Sequence, residues 1–128
     1  MTQDISLLFG LHESEELRFC RIGAEADHFK VYEASTLEQM RRLMAAREYQ
    51  GYLMDLNLGE PGSFNLTSAR EMYALVQPRV EREQAVFLGV SGREDIVRQA
   101  LQEKIPAEEK PFHLFPFLEH CHRIAGKY

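Results

Sequence analysis

The sequence has no tryptophan, two cysteines and five prolines among 128 residues. It also lacks any apolar run approaching the ~18 residues a membrane helix needs, which excludes a membrane-spanning segment of that kind. A basic excess is missing too. The formal net charge is -5 and the isoelectric point about 5.5, which argues against a nucleic-acid-binding surface. The N-terminal stretch MTQDISLLFG carries an acid and no basic segment, so it does not have the form of a signal peptide. Cys20 and Cys121 stand far apart, without metal-ligand spacing, and read as buried free thiols of a reducing compartment. These absences give the expectation of a cytoplasmic protein without membrane or nucleic-acid partners.

What is present is a globular composition. Hydrophobic residues make up 45% of the chain, enough for one core in one domain over residues 1–128, with no internal repeat or linker. Strand-like and helix-like stretches alternate. Residues 5–11 (ISLLFGL) read as a nearly continuous apolar strand. Ser14 is placed to cap a helix with Glu15 and Glu16 in its first turn, and Leu17, Cys20, Ile22 and Ala24 along its apolar face. Residues 29–34 (FKVYEA) alternate like a strand. Ser35 or Thr36 is the candidate cap of the next helix, where Leu37, Met40, Leu43 and Met44 recur at helical spacing. Residues 51–55 form the third strand.

A turn-rich loop (GEPGSFN, 59–65) follows, read either as a rim beside a site or as a plain solvent loop. A helix is expected from Thr67 to Pro78, with Ala69, Met72, Leu75 and Val76 on one face. Residues 85–90 (AVFLGV) make the fourth strand, and 94–104 a helix presenting Ile96, Val97, Ala100 and Leu101. A weak strand is expected at 107–109 and a last helix at 114–125, with Pro116 in its first turn. Five such alternations predict an α/β fold, a parallel sheet covered by helices on both faces.

In such sheets functional groups collect at the carboxyl ends of the strands. Asp55 ends the third strand in GYLMDLNLG. A lone acid there suits a helix cap, a nucleophile or a metal ligand. Three further strand ends carry His12-Glu13, Ser91 and Lys110. Two acids, a hydroxyl and an ammonium at one sheet edge suit phosphoryl transfer to a carboxylate, which forms an acyl phosphate. A divalent ion such as Mg2+ offsets the charge of the transferring group. Glu13, Asp55 and the backbone carbonyl of Asn57 are the candidate oxygen ligands. The Ser91 hydroxyl is suited to donate to a phosphoryl oxygen, and Lys110 to pair with Asp55 before transfer.

The segments LMDLNLG, FLGVSG and EEKPF, in this order, resemble the receiver domain of two-component response regulators over essentially the whole chain. The resemblance implies a flavodoxin-like (βα)5 sandwich of strand order 2-1-3-4-5. It implies Asp55 as phosphoacceptor, Asn57 as the residue whose carbonyl meets the metal, Ser91 as the hydroxyl that senses the phosphoryl group, and Lys110 as the characteristic lysine. Mg2+ and a histidine kinase or phosphotransfer protein are then the implied cofactor and partner. Not an enzyme in the ordinary sense, such a domain at most dephosphorylates itself slowly. With no output domain in the chain, its message passes by protein contact.

The chain departs from that pattern in three places. Receivers usually carry two adjacent acids after the first strand, where this chain aligns His12-Glu13; Glu15 or Glu16 is the alternative ligand. His12 reads as a loop histidine without a role. Three residues before Lys110, where an aromatic switch residue is usual, stands Ala107. The 59–65 loop replaces a shorter turn, and its Phe64 is a candidate partner contact. Elsewhere, Met40, Met44 and Met54 read as core filling, while Arg41, Arg42, Arg79 and Arg82 read as solvated helix faces. His113, His120 and His122 lack the spacing of a zinc site. The last helix region, with Phe112, Leu114, Phe115, Phe117 and Leu118, offers more apolar surface than one core stripe needs and marks a homodimer or partner surface. The runner-up function is a pseudo-receiver, an interaction module that works without phosphorylation. A haloacid-dehalogenase-type phosphatase is disfavoured by Asn57, where a second acid belongs, and a flavin carrier by the acidic LHESEE loop.

Overall fold

The computed structural model describes residues 5–59 and 65–126; Phe64 and most of the 59–65 loop lie outside them. The elements run β1 (Ile5–Gly10), α1 (Ser14–Ala26), β2 (Phe29–Ala34), α2 (Leu37–Ala46), β3 (Gly51–Asp55), α3 (Thr67–Glu81), β4 (Val86–Ser91), α4 (Glu94–Gln102), β5 (Ala107–Glu109) and α5 (Leu114–Ala125). The strands form one parallel sheet of order β2-β1-β3-β4-β5, as expected for a flavodoxin-like fold.

Side-chain alternation divides the core in two. Leu7, Phe9, Leu53 and Val90 face one way, onto Leu17, Cys20 and Ala24 of α1 and Leu114, Phe117, Leu118 and Cys121 of α5. Leu8, Tyr52, Met54 and Phe87 face the other way, onto Met40 of α2, Met72 and Val76 of α3, and Ile96 and Ala100 of α4. Asp55 lies two residues beyond Leu53, so it belongs to the α1/α5 side of the sheet.

Close packing at two glycines places the site. A Cβ on Gly51 would come within 2.6 Å of Cys121 Sγ, so this glycine lets α5 lie against the start of β3. At Gly89 a Cβ would come within 2.2 Å of Leu56 Cδ2, so this glycine admits the buried leucine that follows Asp55.

Several local expectations are corrected. Ser14 is the first residue of α1, and Glu13 occupies the cap position without a side-chain capping bond. Of the two expected candidates, Thr36 is the cap of α2, accepting from the Gln39 amide at 3.2 Å. Ile22, Leu75 and Leu101 were assigned to apolar faces but are exposed, because the helices meet the sheet along a narrower stripe. α3 does not stop at Pro78. Its last turn is anchored to the segment before and within β3 by Arg79, which donates to Tyr52 Oη and the Tyr49 carbonyl at 2.9 Å each. Arg79 is therefore no solvated face residue; its side chain is 17% exposed. Met40 and Met54 are fully buried, and Met44 packs at the edge of the core.

Candidate functional site

β3 ends in Asp55, whose carboxylate is 1% exposed. Burial of an ionised carboxylate is costly unless charge and hydrogen-bond partners meet it. Both are supplied. The His12 backbone N–H donates to Asp55 Oδ2 at 2.9 Å. His12 Nδ1 lies 2.5 Å from the same oxygen. This second contact is one of proximity and is not in hydrogen-bond geometry. On the other oxygen, Lys110 Nζ sits 2.8 Å from Oδ1 as an ion pair. Oδ1 nevertheless has no partner in hydrogen-bond geometry.

Each partner is delivered by the fold. Gly10 of β1 pairs with Met54 of β3, so the chain leaving β1 passes directly over the end of β3 and sets His12 above Asp55. Lys110 follows β5, and its amide donates to the Ser91 carbonyl at 2.8 Å, pinning the lysine backbone to the end of β4. The Lys110–Pro111 peptide is cis. Lys110 Nζ also meets Glu16 Oε1 at 2.8 Å, from the first turns of α1. Burial pulls the Lys110 ammonium down most strongly, but Asp55 and Glu16 together outweigh it and hold it above the ordinary lysine value. Beneath them, burial and then Glu16 push the Cys20 thiol up to about 12, against the opposing pull of Lys110.

The other expected residues are placed less closely. Ser91 is buried at the end of β4, and its Oγ accepts from the Arg93 amide at 3.1 Å, closing the turn after the strand. Asn57 is buried in the turn after β3, where the Leu58 amide donates to the Asp55 carbonyl at 3.1 Å. Glu13 is exposed at the start of α1. Glu16, an alternative metal ligand from sequence, is instead the second carboxylate of Lys110.

The main residue misread from sequence is His12, expected to be a loop histidine without a role. Its signal was its place: a polar residue just past β1, and β1 neighbours β3 in the order 2-1-3-4-5.

Magnesium takes several oxygens in near-octahedral array. Here Asp55 Oδ2 already accepts from the His12 amide with the imidazole 2.5 Å away, Oδ1 faces an ammonium, and Glu13 is exposed at the start of α1. Among the described residues no group of three or more His, Cys, Asp or Glu side chains is placed to hold a metal ion. As arranged, the donor set does not fit magnesium.

No family model and no curated protein matches the chain. Solved structures do match. The signal receiver domain of an HD domain-containing protein from Pseudomonas fluorescens Pf-5 is 14% identical, with TM-score 0.74 over 99% of this chain and 90% of that one. A Burkholderia pseudomallei response regulator, solved with a phosphorylated aspartic acid, calcium and citrate, is 18% identical, with TM-score 0.70 over 97% of this chain and 70% of that one. A redox sensor of the streptococci, described as evolved from two-component response regulators, is 12% identical, with TM-score 0.69 over 96% of this chain and 52% of that one. The chain thus has the fold of response-regulator receiver domains. No helix among the described residues is long and apolar enough to cross a membrane.

Proposed function

We propose that this chain is a phosphoryl-accepting signalling switch in which Asp55 takes a phosphoryl group from a histidine kinase or phosphotransfer protein. The observation that carries the reading is the buried Asp55 carboxylate at a strand end, with the Lys110 ammonium 2.8 Å from Oδ1. Oδ2 accepts from the His12 amide and has the imidazole 2.5 Å away, whereas Oδ1 keeps a lone pair outside any hydrogen bond and is the better nucleophile. In the reaction Oδ1 forms a bond to phosphorus while the phosphorus–nitrogen bond of a phosphohistidine breaks. The donor imidazole leaves with that electron pair and takes a proton from solvent. Lys110 moves from the carboxylate to the new phosphoryl oxygens, with Glu16 as its fixed second partner. His12 keeps Oδ2 in place throughout. No step is assigned to magnesium.

Ser91 lies on the strand beside Asp55 and is the residue assigned to meet the phosphoryl group. Its carbonyl already holds the Lys110 amide, so movement at Ser91 reaches the β5–α5 segment. There Phe115 stands 71% exposed on α5 and is the proposed contact for a downstream protein or a second copy. Ala107 leaves no aromatic at β5 to swing inward, so this route takes the place of an aromatic switch. A cytoplasmic setting accords with a kinase as donor.

A second reading, a phosphorylation-independent interaction module, is favoured by one observation: the His12 amide and imidazole both lie against Oδ2. Intact mass after incubation with acetyl phosphate separates the two. One labile phosphoryl adduct on the parent, absent from Asp55→Asn, supports the switch. Absence of any adduct, with phosphohistidine donors also tried, supports the interaction module.

A further inference from the structure

We infer that His12 occupies, with its backbone amide and its imidazole, the place where a divalent metal would meet Asp55, so that this carboxylate is served by resident protein groups in place of magnesium. Two groups of one residue converge on one oxygen: the backbone N–H donates at 2.9 Å, and the imidazole Nδ1 lies 2.5 Å away. The imidazole is free to rotate about its side-chain bonds. The backbone amide is not, because the chain leaving β1 is fixed by the β1–β3 pairing. Even with the ring turned away, Oδ2 still accepts from that amide, which takes up one of its lone pairs. Lys110 places an ammonium at the other oxygen, and that ammonium is itself held by Glu16. The remaining acid of the β1–α1 turn, Glu13, is exposed and does not join the cluster. The two Asp55 oxygens thus have an imidazole and an amide on one side and an ammonium on the other. The ammonium lies 2.8 Å from Oδ1, which otherwise has no hydrogen-bond partner.

This assignment goes beyond the phosphoryl-acceptor reading and holds whether or not Asp55 is phosphorylated. It makes His12 a positioning residue for the carboxylate. It also predicts that the metal preference of the site is decided by that residue.

The test is calorimetric titration of the full chain with magnesium chloride, comparing the parent with His12→Asp. His12→Asp removes the imidazole and adds a carboxylate beside Asp55. The expected result is no saturable binding by the parent and a gain of about tenfold or more in His12→Asp, of the size that single changes around metal sites produce. The gain should vanish in His12→Asp combined with Asp55→Asn. Saturable binding by the parent as tight as by His12→Asp overturns the inference, as does a folded His12→Asp that gains nothing. A second readout needs no variant: the ring nitrogen resonances of His12 in the parent. If they hold a protonated Nδ1 and stay fixed as magnesium is added, the imidazole keeps its place. A saturable shift shows that metal displaces it and overturns the inference.

Discussion

The Lys110 ammonium lies 2.8 Å from Asp55 Oδ1 and stands between that buried carboxylate and Glu16. The pair joins the end of β3 to the segment after β5 across the sheet. Removing one member of a buried pair strands the charge of the other. Lys110→Met should therefore destabilise the fold by about 3 kcal/mol. Adding Asp55→Asn should recover part of the loss, because the stranded charge goes with it. Urea unfolding of the two single variants and the double variant measures this. Additive losses would show that the pair is not coupled.

Gly89→Ala should also destabilise, by about 2 kcal/mol, through overpacking. The new methyl group would sit 2.2 Å from Leu56 Cδ2 and 3.0 Å from Cγ. Leu56 is fully buried directly after Asp55, so its displacement should disturb the acceptor as well. The check is thermal unfolding together with the Asp55–Lys110 cycle repeated in the Gly89→Ala background, where the coupling should shrink.

Arg79→Ala should cost about 2 kcal/mol, more than a surface arginine. Its guanidinium donates to Tyr52 Oη and to the Tyr49 carbonyl, and Tyr52 Oη in turn accepts from the Tyr49 amide at 3.0 Å. Arg82→Ala, one turn-position away at the helix end, serves as the control and should change stability little. Equal losses for the two would mean that the anchoring network contributes nothing of its own.

The cysteines predict the alkaline limb of stability. Burial pushes both Cys20 and Cys121 from the ordinary 9.0 up to about 12. Above 9.0 the unfolded chain gives up its thiol protons while the folded chain retains them, so the folded state binds more protons and stability falls as pH rises. The contribution is intact below 9.0 and is lost progressively towards about 12. Denaturant midpoints across that range should fall more steeply for the parent than for Cys20→Ala. At neutral pH, thiol reagents should label neither cysteine until denaturant is added.

Much of this architecture was legible in the chain because period-two and period-3.6 patterns report burial directly. The strand FKVYEA and the buried strand ending in Asp55 were both read at their observed bounds. The helix face at Ile22 was not, because one apolar residue beside a true stripe looks like part of it. Pro78 misled for a different reason: a proline reads as a helix end unless tertiary bonds hold the next turn, and those bonds come from Tyr49 and Tyr52, far away in sequence. At the site, Asp55 and Lys110 were found by residue type and strand-end position. His12 was placed at the same edge beside Glu13 but given no role, because an imidazole in a loop carries no local pattern. Its role appears only when β1 is laid beside β3. Glu16 was seen as an acid of the helix start, but its partner lies 94 residues away, a distance local patterns do not bridge.

The most direct test is to trap the modified residue itself. The parent is incubated with acetyl phosphate in the presence of a metal chelator and reduced with borohydride, which converts an aspartyl phosphate to homoserine. It is then digested and mapped by mass spectrometry. The account predicts homoserine at position 55 without added magnesium, and none in the Asp55→Asn control. An unmodified Asp55 peptide, under conditions where a phosphohistidine donor also leaves it unchanged, would contradict Asp55 as a phosphoryl acceptor.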